Sequence, residues 1–491
     1  MSYAGLRELC SSTAAELSCH GIGAADCIAI VLPNGPEMAT SFVASASVTC
    51  AAPLNPAYTA AEFEFYLSDL QAKAIIVAAN DDSPVREVAS RVGVHVIELV
   101  TEAAGVAGQF DLDFGGMLET GATKVAGTAD RALVLHTSGT TSRPKIVPLS
   151  QANLCASATH ISQTLSLGAD DRCLNIMPLF HIHGLIAGVL SSLYAGACVT
   201  CTPGFSAMKF FAWLEAAAPS WYTAVPTMHQ AILDRAPRNE AVIARTKLRF
   251  IRSSSSSLPA QVMSRLEQTF SCPVVESYGM TEAAHQMTSN QLPPGLRKPG
   301  SVGSAAGPEV RLMDVSGKLI AAGEGEIVIR GPNVTDGYEA NEKANADAFV
   351  ADSDGGGDWF RTGDQGVFDD DGFLRISGRL KEIINRGGEK IAPREVDEVL
   401  MDHEAVGQVV TFAVPHPKLG EDIAAAVVLR EGEEASERDL RDYAATRLAP
   451  FKVPRVIVFL DEIPKGATGK LQRIGLAEKL GLSWCKPCGQ R

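Results

Sequence analysis

The chain has 491 residues, 46% hydrophobic and 20% charged, which allows two or more domains with a large core and excludes global disorder. Lys and Arg number 43 against 57 Asp and Glu, a formal net charge of −14 that argues against a general nucleic-acid binder. Any anionic ligand must therefore be held by local positive groups. Eleven scattered cysteines, an odd number, fit a reducing compartment better than a disulfide framework. The pairs Cys198/Cys201 and Cys485/Cys488 read as structural, because a zinc site needs further ligands nearby. No uninterrupted apolar run reaches the length of a membrane span, no basic-then-apolar leader opens the chain, and no peroxisomal tripeptide closes it. A cytoplasmic protein is expected.

Residues 1–20 are expected to form an amphipathic helix. Residues 27–33 read as a strand, 35–46 as a helix, 51–58 as a proline-punctuated loop and 60–69 as a helix. Residues 74–78 and 94–99 are two more strands, and strands alternating with helices predict parallel α/β layers. Residues 101–130, rich in Gly and Ala, are expected to be a surface excursion. The apolar run 132–135 reads as a buried strand. It breaks into Thr137, Ser138, Gly139, Thr140, Thr141 and Ser142, followed by Lys145. Small hydroxyl residues around a glycine leave N–H and O–H groups free for anionic oxygens, and the lysine adds a point charge. The stretch suits phosphate without matching the P-loop pattern.

Residues 150–164 are expected to be a helix capped by Ser150. His181 and His183 follow on a short apolar segment, Met177-Pro-Leu-Phe-His-Ile-His-Gly184, and 185–200 reads as a core helix and strand. Residues 221–226 and 248–252 are strands, and five serines follow at 253–257. Val274-Val-Glu-Ser-Tyr-Gly-Met-Thr-Glu282 is a strand ending in a turn that carries a ring, a hydroxyl and a carboxylate. His285 is expected to face the same pocket from one helical turn beyond Glu282. Trp359-Phe-Arg-Thr-Gly-Asp364 places an aspartate at an expected strand end. Beyond Arg379, Lys381 and the Gly387-Gly388 pair, residues 382–491 read as a small α+β unit. Helices are expected at 394–401 and 436–448, and strands at 406–414, 423–429 and 455–459. Pro464-Lys-Gly-Ala-Thr-Gly-Lys470 is a glycine-rich loop presenting one lysine.

In that order these motifs resemble those of the acyl-adenylate-forming family, the AMP-dependent acyl-CoA synthetases. Within it, segments such as Trp221-Tyr-Thr-Ala-Val-Pro-Thr227 and Ile384-Asn-Arg-Gly-Gly-Glu-Lys390 read like the oxalate–CoA ligase subgroup. The resemblance implies a large N-terminal domain of layered α/β subdomains, 1–381, and a small mobile α+β C-terminal lid, 382–491. It implies that Thr137, Ser138, Gly139, Thr140, Thr141 and Lys145 hold phosphate, and that Thr140 and Glu282 hold Mg²⁺. Tyr278 would stack on adenine, Thr281 would contact the α-phosphate, and Glu276 would join the nucleotide contacts. Asp364 and Arg379 would bind ribose, Lys381 would be the pivot, and Gly387 and Gly388 would lie against the CoA arm. Lys470 would be the adenylation lysine. His183, Ser254, Ser255 and His285 would face the acid.

The activity so implied is ATP-dependent formation of acyl-AMP and then acyl-CoA, with ATP, Mg²⁺ and CoA as cofactors and a small carboxylic acid, oxalate first, as substrate. Malonate or an aryl acid, a carrier-loading adenylation enzyme, and a non-catalytic ATP-binding protein are the alternatives. Three departures stand out, the first being the serine run 253–257 in place of Ser-Cys-Ser-Ala-Ser or similar, which leaves the expected acyl pocket polar. Ile146 replaces a glycine after the phosphate loop, and a β-branched residue does not readily take positive φ. The family pattern also implies a helix–strand unit of about 30 residues before residue 1.

Overall fold

The computed structural model describes residues 1–79, 81–116, 126–137, 144–351, 357–465 and 471–482. Its first seven-stranded sheet runs, in spatial order, Asp111–Asp113, His95–Val100, Ala74–Ala78, Cys27–Val31, Cys50–Pro53, Arg131–Thr137 and Lys145–Ser150. Cys27–Val31 lies between two parallel neighbours and is buried along its whole length. A parallel strand covered on both faces has no solvated side, so it reads as a continuous apolar run. The helix Gln151–Thr164 starts at a reciprocal capping box of Ser150 and Asn153, as the N-cap reading expects.

The second seven-stranded sheet carries five parallel strands, Cys198–Cys201, Arg172–Asn175, Trp221–Ala224, Phe250–Ser253 and Val274–Met280, and then turns antiparallel through His285–Ser289 and Ser304–Ala305. A third, largely antiparallel sheet includes Glu324–Arg330, Trp359–Phe368 and Leu374–Arg379. The fourth sheet, Glu389–Ile391, Ile384–Arg386, Gly420–Leu429 and Val406–His416 with Val456–Phe459 alongside, has its own core around Val396, Leu400, Val406, Ile423 and Leu440. The chain crosses from the third sheet to the fourth between Arg379 and Ile384. Layered α/β units followed by a smaller α+β unit are the expected fold class.

Several elements differ from expectation. Residues 50–53 form a strand, not loop, because two parallel neighbours supply the ladder that Ala and Pro would not favour alone. Val85–Val92 is a helix that the sequence reading passed over. Asp364 sits inside Trp359–Phe368, next to a register shift, and not at a strand end. Ile146 lies in the strand Lys145–Ser150, paired with His136, so the turn makes no demand for positive φ at that position.

The turn from Val274–Met280 into His285–Ser289 passes through a single 3₁₀ turn, Thr281–Ala283, with a register shift at Tyr278/Gly279. A Cβ on Gly279 would run into the backbone carbonyl oxygen of His285, which the ladder holds in place. Gly279→Ala is expected to lower the unfolding free energy by about 2–3 kcal/mol. In a urea titration the midpoint should fall at unchanged slope, and an unmoved midpoint would show that the two strands separate freely.

Candidate active site

The ends of the phosphate loop are fixed by strand pairing, because Thr137 and Lys145 are cross-strand partners. Ser138, Gly139, Thr140 and Thr141 lie outside the described residues, as does Lys470. Just before the loop His136 Nε2 meets Asp69 Oδ2 at 3.1 Å with both side chains nearly buried, which anchors the strand to the preceding helix. Lys145 Nζ stands 4.1 Å above the ring of Tyr338. Burial and the nearby charge of Lys381 lower its pKa, and Glu282 and Asp347 oppose the shift. The hinge candidate Lys381 and the loop lysine thus share one electrostatic neighbourhood.

Glu282 is buried in the 3₁₀ turn, and its Oε1 accepts a hydrogen bond from Tyr338 Oη at 2.9 Å. Burial raises its pKa, against the pull of that bond, Arg379 and Lys145. The backbone is pinned too, since the Thr335 amide donates to the Glu282 carbonyl at 2.8 Å. A buried carboxylate with oxygen still available beside a phosphate site is suitable chemistry for a hard divalent cation. Thr281 opens the same turn and is half-buried.

Asp364 joins three elements. Tyr278 Oη donates to Oδ2 at 2.6 Å, and Arg379 Nε sits 3.0 Å from Oδ1. Burial and the carboxylate push the Tyr278 phenol well above its ordinary range. The Leu380 amide then bonds back to the Gly363 carbonyl, and Lys381 follows in a tight turn. Gly387 and Gly388 form the two-residue turn of the hairpin Ile384–Ile391 with φ of +63° and +100°. Positive φ at both positions is what a twisted hairpin of this length requires, and it favours glycine.

The acid-facing candidates gather behind the second sheet. His183 is fully buried at the start of a π-helix, His183–Leu190. Its Nδ1 lies 3.0 Å from Ser255 Oγ and its Nε2 2.6 Å from Thr223 Oγ1. His285 packs edge-on against it with centroids 4.8 Å apart. His285 reaches this place as the first residue of a strand, with φ +105°, and not from a helical turn. Ser255 has φ +73°, a left-handed conformation that costs a non-glycine residue about 1–2 kcal/mol. Ser254 Oγ is committed to the Ser277 carbonyl at 2.8 Å and ties the serine run to the next strand.

Glu276 serves the same run. Its Oε1 accepts the Leu258 amide at 2.9 Å, so its side chain fastens the serine loop. Sequence reasoning missed Tyr338, Thr223, Gln286 and Arg252. An arginine inside the apolar strand 248–252 was the available signal for the last, since a charge there has no route to water. Among the described residues no group of three or more His, Cys, Asp and Glu is placed to bind a metal, and Cys198 and Cys201 are free thiols. Among them, too, no helix is long and apolar enough to cross a membrane.

Burial pushes the Glu276 carboxyl from 4.5 up to about 7, with Arg394 opposing and Glu398 reinforcing. The folded state therefore prefers the neutral acid. The stability this confers is present below about pH 4.5 and is lost as pH rises through 7. Glu276→Gln keeps the acceptor for Leu258 and removes the titration. Its melting temperature should gain on the parent's progressively between pH 4.5 and 8, with an upper bound of roughly 3 kcal/mol at about 1.4 kcal/mol per pK unit. A constant difference across that range would show an ordinary carboxyl.

Residues 1–339 match the family model described as AMP-binding enzyme, and 395–470 match AMP-binding enzyme C-terminal domain. The chain is 46% identical over 487 residues to a probable CoA ligase, CCL9, of Humulus lupulus, covering 97% of this chain and 91% of that one. It is 45% identical to an oxalate–CoA ligase of Arabidopsis thaliana, covering 96% and 92%. The solved structure of ATP-bound MatB from Rhodopseudomonas palustris superposes with a TM-score of 0.85 at 29% identity, covering 97% and 93%. The chain belongs to the AMP-binding enzyme family and is an AMP-forming acid–CoA ligase, which joins a carboxylic acid to CoA through an acyl-adenylate made from ATP.

Proposed function

We propose that the acid is oxalate and that the site divides into a cationic phosphate end and a polar, closed acyl end. The observation that carries this is the composition of the acyl end. Where a fatty acid would need an apolar tunnel, His183, His285, Thr223, Ser255 and Arg252 stand together behind the second sheet. An apolar tunnel would reject a dianion through its desolvation cost, whereas these groups offer donors and positive charge. The similarity to an oxalate–CoA ligase supports the same reading.

In the first step a carboxylate oxygen bonds to the α-phosphorus of ATP, the bond from that phosphorus to the β-phosphate bridging oxygen breaks, and pyrophosphate leaves. In the second, the thiolate of CoA attacks the acyl carbon and AMP departs with the bond's electrons. Positioning and charge neutralisation account for most of such chemistry. Lys145, with the hydroxyls of 138–142, would hold the β- and γ-phosphates. Thr281 would contact the α-phosphate, Asp364 and Arg379 the ribose, and Tyr278 the adenine. The side chains suited to Mg²⁺ are Glu282 and Thr140, and the ion when bound neutralises phosphate charge. Lys470 would bridge the attacking carboxylate and the α-phosphate.

The two steps need different groups at one place. We take residues 1–381 and 382–491 as the two bodies, with Lys381 as the pivot that exchanges the Lys470 loop for the Gly387–Gly388 hairpin. The change of sheet between Arg379 and Ile384 supports that boundary.

AMP release should be measured with ATP and CoA across oxalate, malonate, benzoate and acetate, and kcat/KM is expected to be highest for oxalate. A preference for benzoate or acetate would sink the oxalate reading. Lys470→Ala should lose oxalate-dependent pyrophosphate exchange by about 100-fold or more, in the range of one lost transition-state contact. It should keep thioester formation from supplied acyl-AMP, and equal loss of both would remove Lys470 from the first step.

A further inference from the structure

Arg252 is the one arginine or lysine that is fully buried among the described residues. It occupies the strand Phe250–Ser253, paired with Thr223 on one side and Val275 on the other. Its Nη2 donates to Gln286 Oε1 at 3.2 Å, and its Nη1 lies 3.4 Å from His183 Nε2. Its Nε has no hydrogen-bond partner among the described residues. Among them, too, no carboxylate pairs with it, whereas Arg249, three residues earlier, has Asp171 at 2.9 Å and Arg379 has Asp364. Burial lowers its pKa to about 9, which leaves it cationic at neutral pH. A buried charge without a counter-ion is costly, and proteins keep one only where something compensates it.

The surroundings hold the guanidinium in one orientation. Gln286 Nε2 donates to the Ala306 carbonyl at 3.0 Å and to Thr164 Oγ1 at 3.1 Å, so its amide oxygen must face Arg252. A guanidinium only donates, and the Thr223 hydroxyl 2.6 Å from the same Nε2 can donate as well; with Nε2 as acceptor the ring proton sits on Nδ1. That proton points at Ser255 Oγ, 3.0 Å away. A second proton on the ring would set two cations side by side. The chain Gln286–Arg252–His183–Ser255 is therefore directional. It begins in the sheet and ends on a serine hydroxyl that accepts from histidine and keeps its own hydrogen to donate.

We infer that Arg252 is the positioning residue and counter-charge for the non-reacting carboxylate of a dicarboxylate substrate, acting through His183 and Ser255. This rests on the oxalate reading above. During adenylation the reacting carboxylate gives up its charge to the mixed anhydride, while the distal one stays anionic through both steps. The lysines are assigned to phosphate, and the cation left for the distal carboxylate is the buried arginine. His183 screens that cation, and a bound dianion completes the pairing.

The experiment is steady-state AMP release by the full chain, with ATP and CoA, on oxalate and on glyoxylate, a monoanion of nearly the same size. Arg252→Met is expected to raise KM for oxalate at least tenfold more than KM for glyoxylate, with KM for ATP within twofold. Arg252→Lys should recover part of the oxalate preference. If Arg252→Met does not fold, Ser255→Ala reads the other end of the chain and should lose oxalate selectively. Equal loss on both acids, or no recovery of oxalate preference in Arg252→Lys, overturns the inference. A parent enzyme that prefers glyoxylate overturns the oxalate reading itself, before any variant is made.

Discussion

The carboxylate of Asp364 is the joint on which the site is built. It takes a phenol from the second sheet at 2.6 Å and a guanidinium from the last strand of the third at 3.0 Å. Hydrogen bonds to a charged acceptor contribute about 1.5–3 kcal/mol each, more than neutral ones. The pair therefore fixes how the third sheet meets the second. It also ties down the chain just before the proposed pivot, because Lys381 lies two residues beyond Arg379 and the intervening amide is bonded to Gly363. Asp364 is also the residue proposed to take the ribose hydroxyls, so one side chain would both set the frame and read the nucleotide.

Around that joint the charges are sorted. At the phosphate end Lys145 and Lys381 lie close enough for one to depress the other's pKa, a repulsion that Glu282 and Asp347 offset only in part. A polyphosphate relieves it, so relief of repulsion adds to whatever direct hydrogen bonds hold the nucleotide. Tyr338 makes the arrangement stable meanwhile, with its ring under the lysine and its hydroxyl on Glu282. Ring and hydroxyl serve opposite charges, which lets a cation and an anion share a small buried space without collapsing into a direct pair. At the acyl end the order is reversed, with neutral donors in front and the buried charge behind.

The sequence made the chemistry legible and left much of its delivery hidden. Thr137, Lys145, Tyr278, Glu282, Asp364 and Arg379 do converge, through the pairing of Thr137 with Lys145, the bonds of Tyr278 and Arg379 to Asp364, and the charges of Lys145 and Arg379 acting on Glu282. Side-chain commitments could not be read. Glu276 and Ser254 look like ligands in a string of polar letters, and nothing in that string shows that Glu276 Oε1 and Ser254 Oγ also fasten the serine run. His285 has the spacing of a helical turn, but the chain turns back into a strand there, because Gly279 allows the close crossing that a helix would forbid. The strand at 50–53 was invisible because its residues have weak β preference and its neighbours supply the ladder. Arg252 was passed over because periodicity marks where a strand lies and says nothing of what a charge inside it must meet.

The acyl end also collects unusual backbone beside the second sheet: positive φ at Ser255 and His285, and a π-helix beginning at His183. Such conformations persist only where surrounding structure over-determines them, and they concentrate at functional sites. Their location follows from the two-step reaction. On the two-body reading proposed above, an acyl-adenylate stays in place while residues 382–491 change what they present, so the groups that hold the acid would not ride on that unit. Every described acyl-side residue, from His183 to Gln286, belongs to the second sheet or to the segments packed on it. The fourth sheet, with its separate core, carries the hairpin of Gly387 and Gly388 instead. On that reading, a fixed acyl end and a short turn at the proposed pivot Lys381 are two consequences of a single requirement. The intermediate must outlive the rearrangement that consumes it.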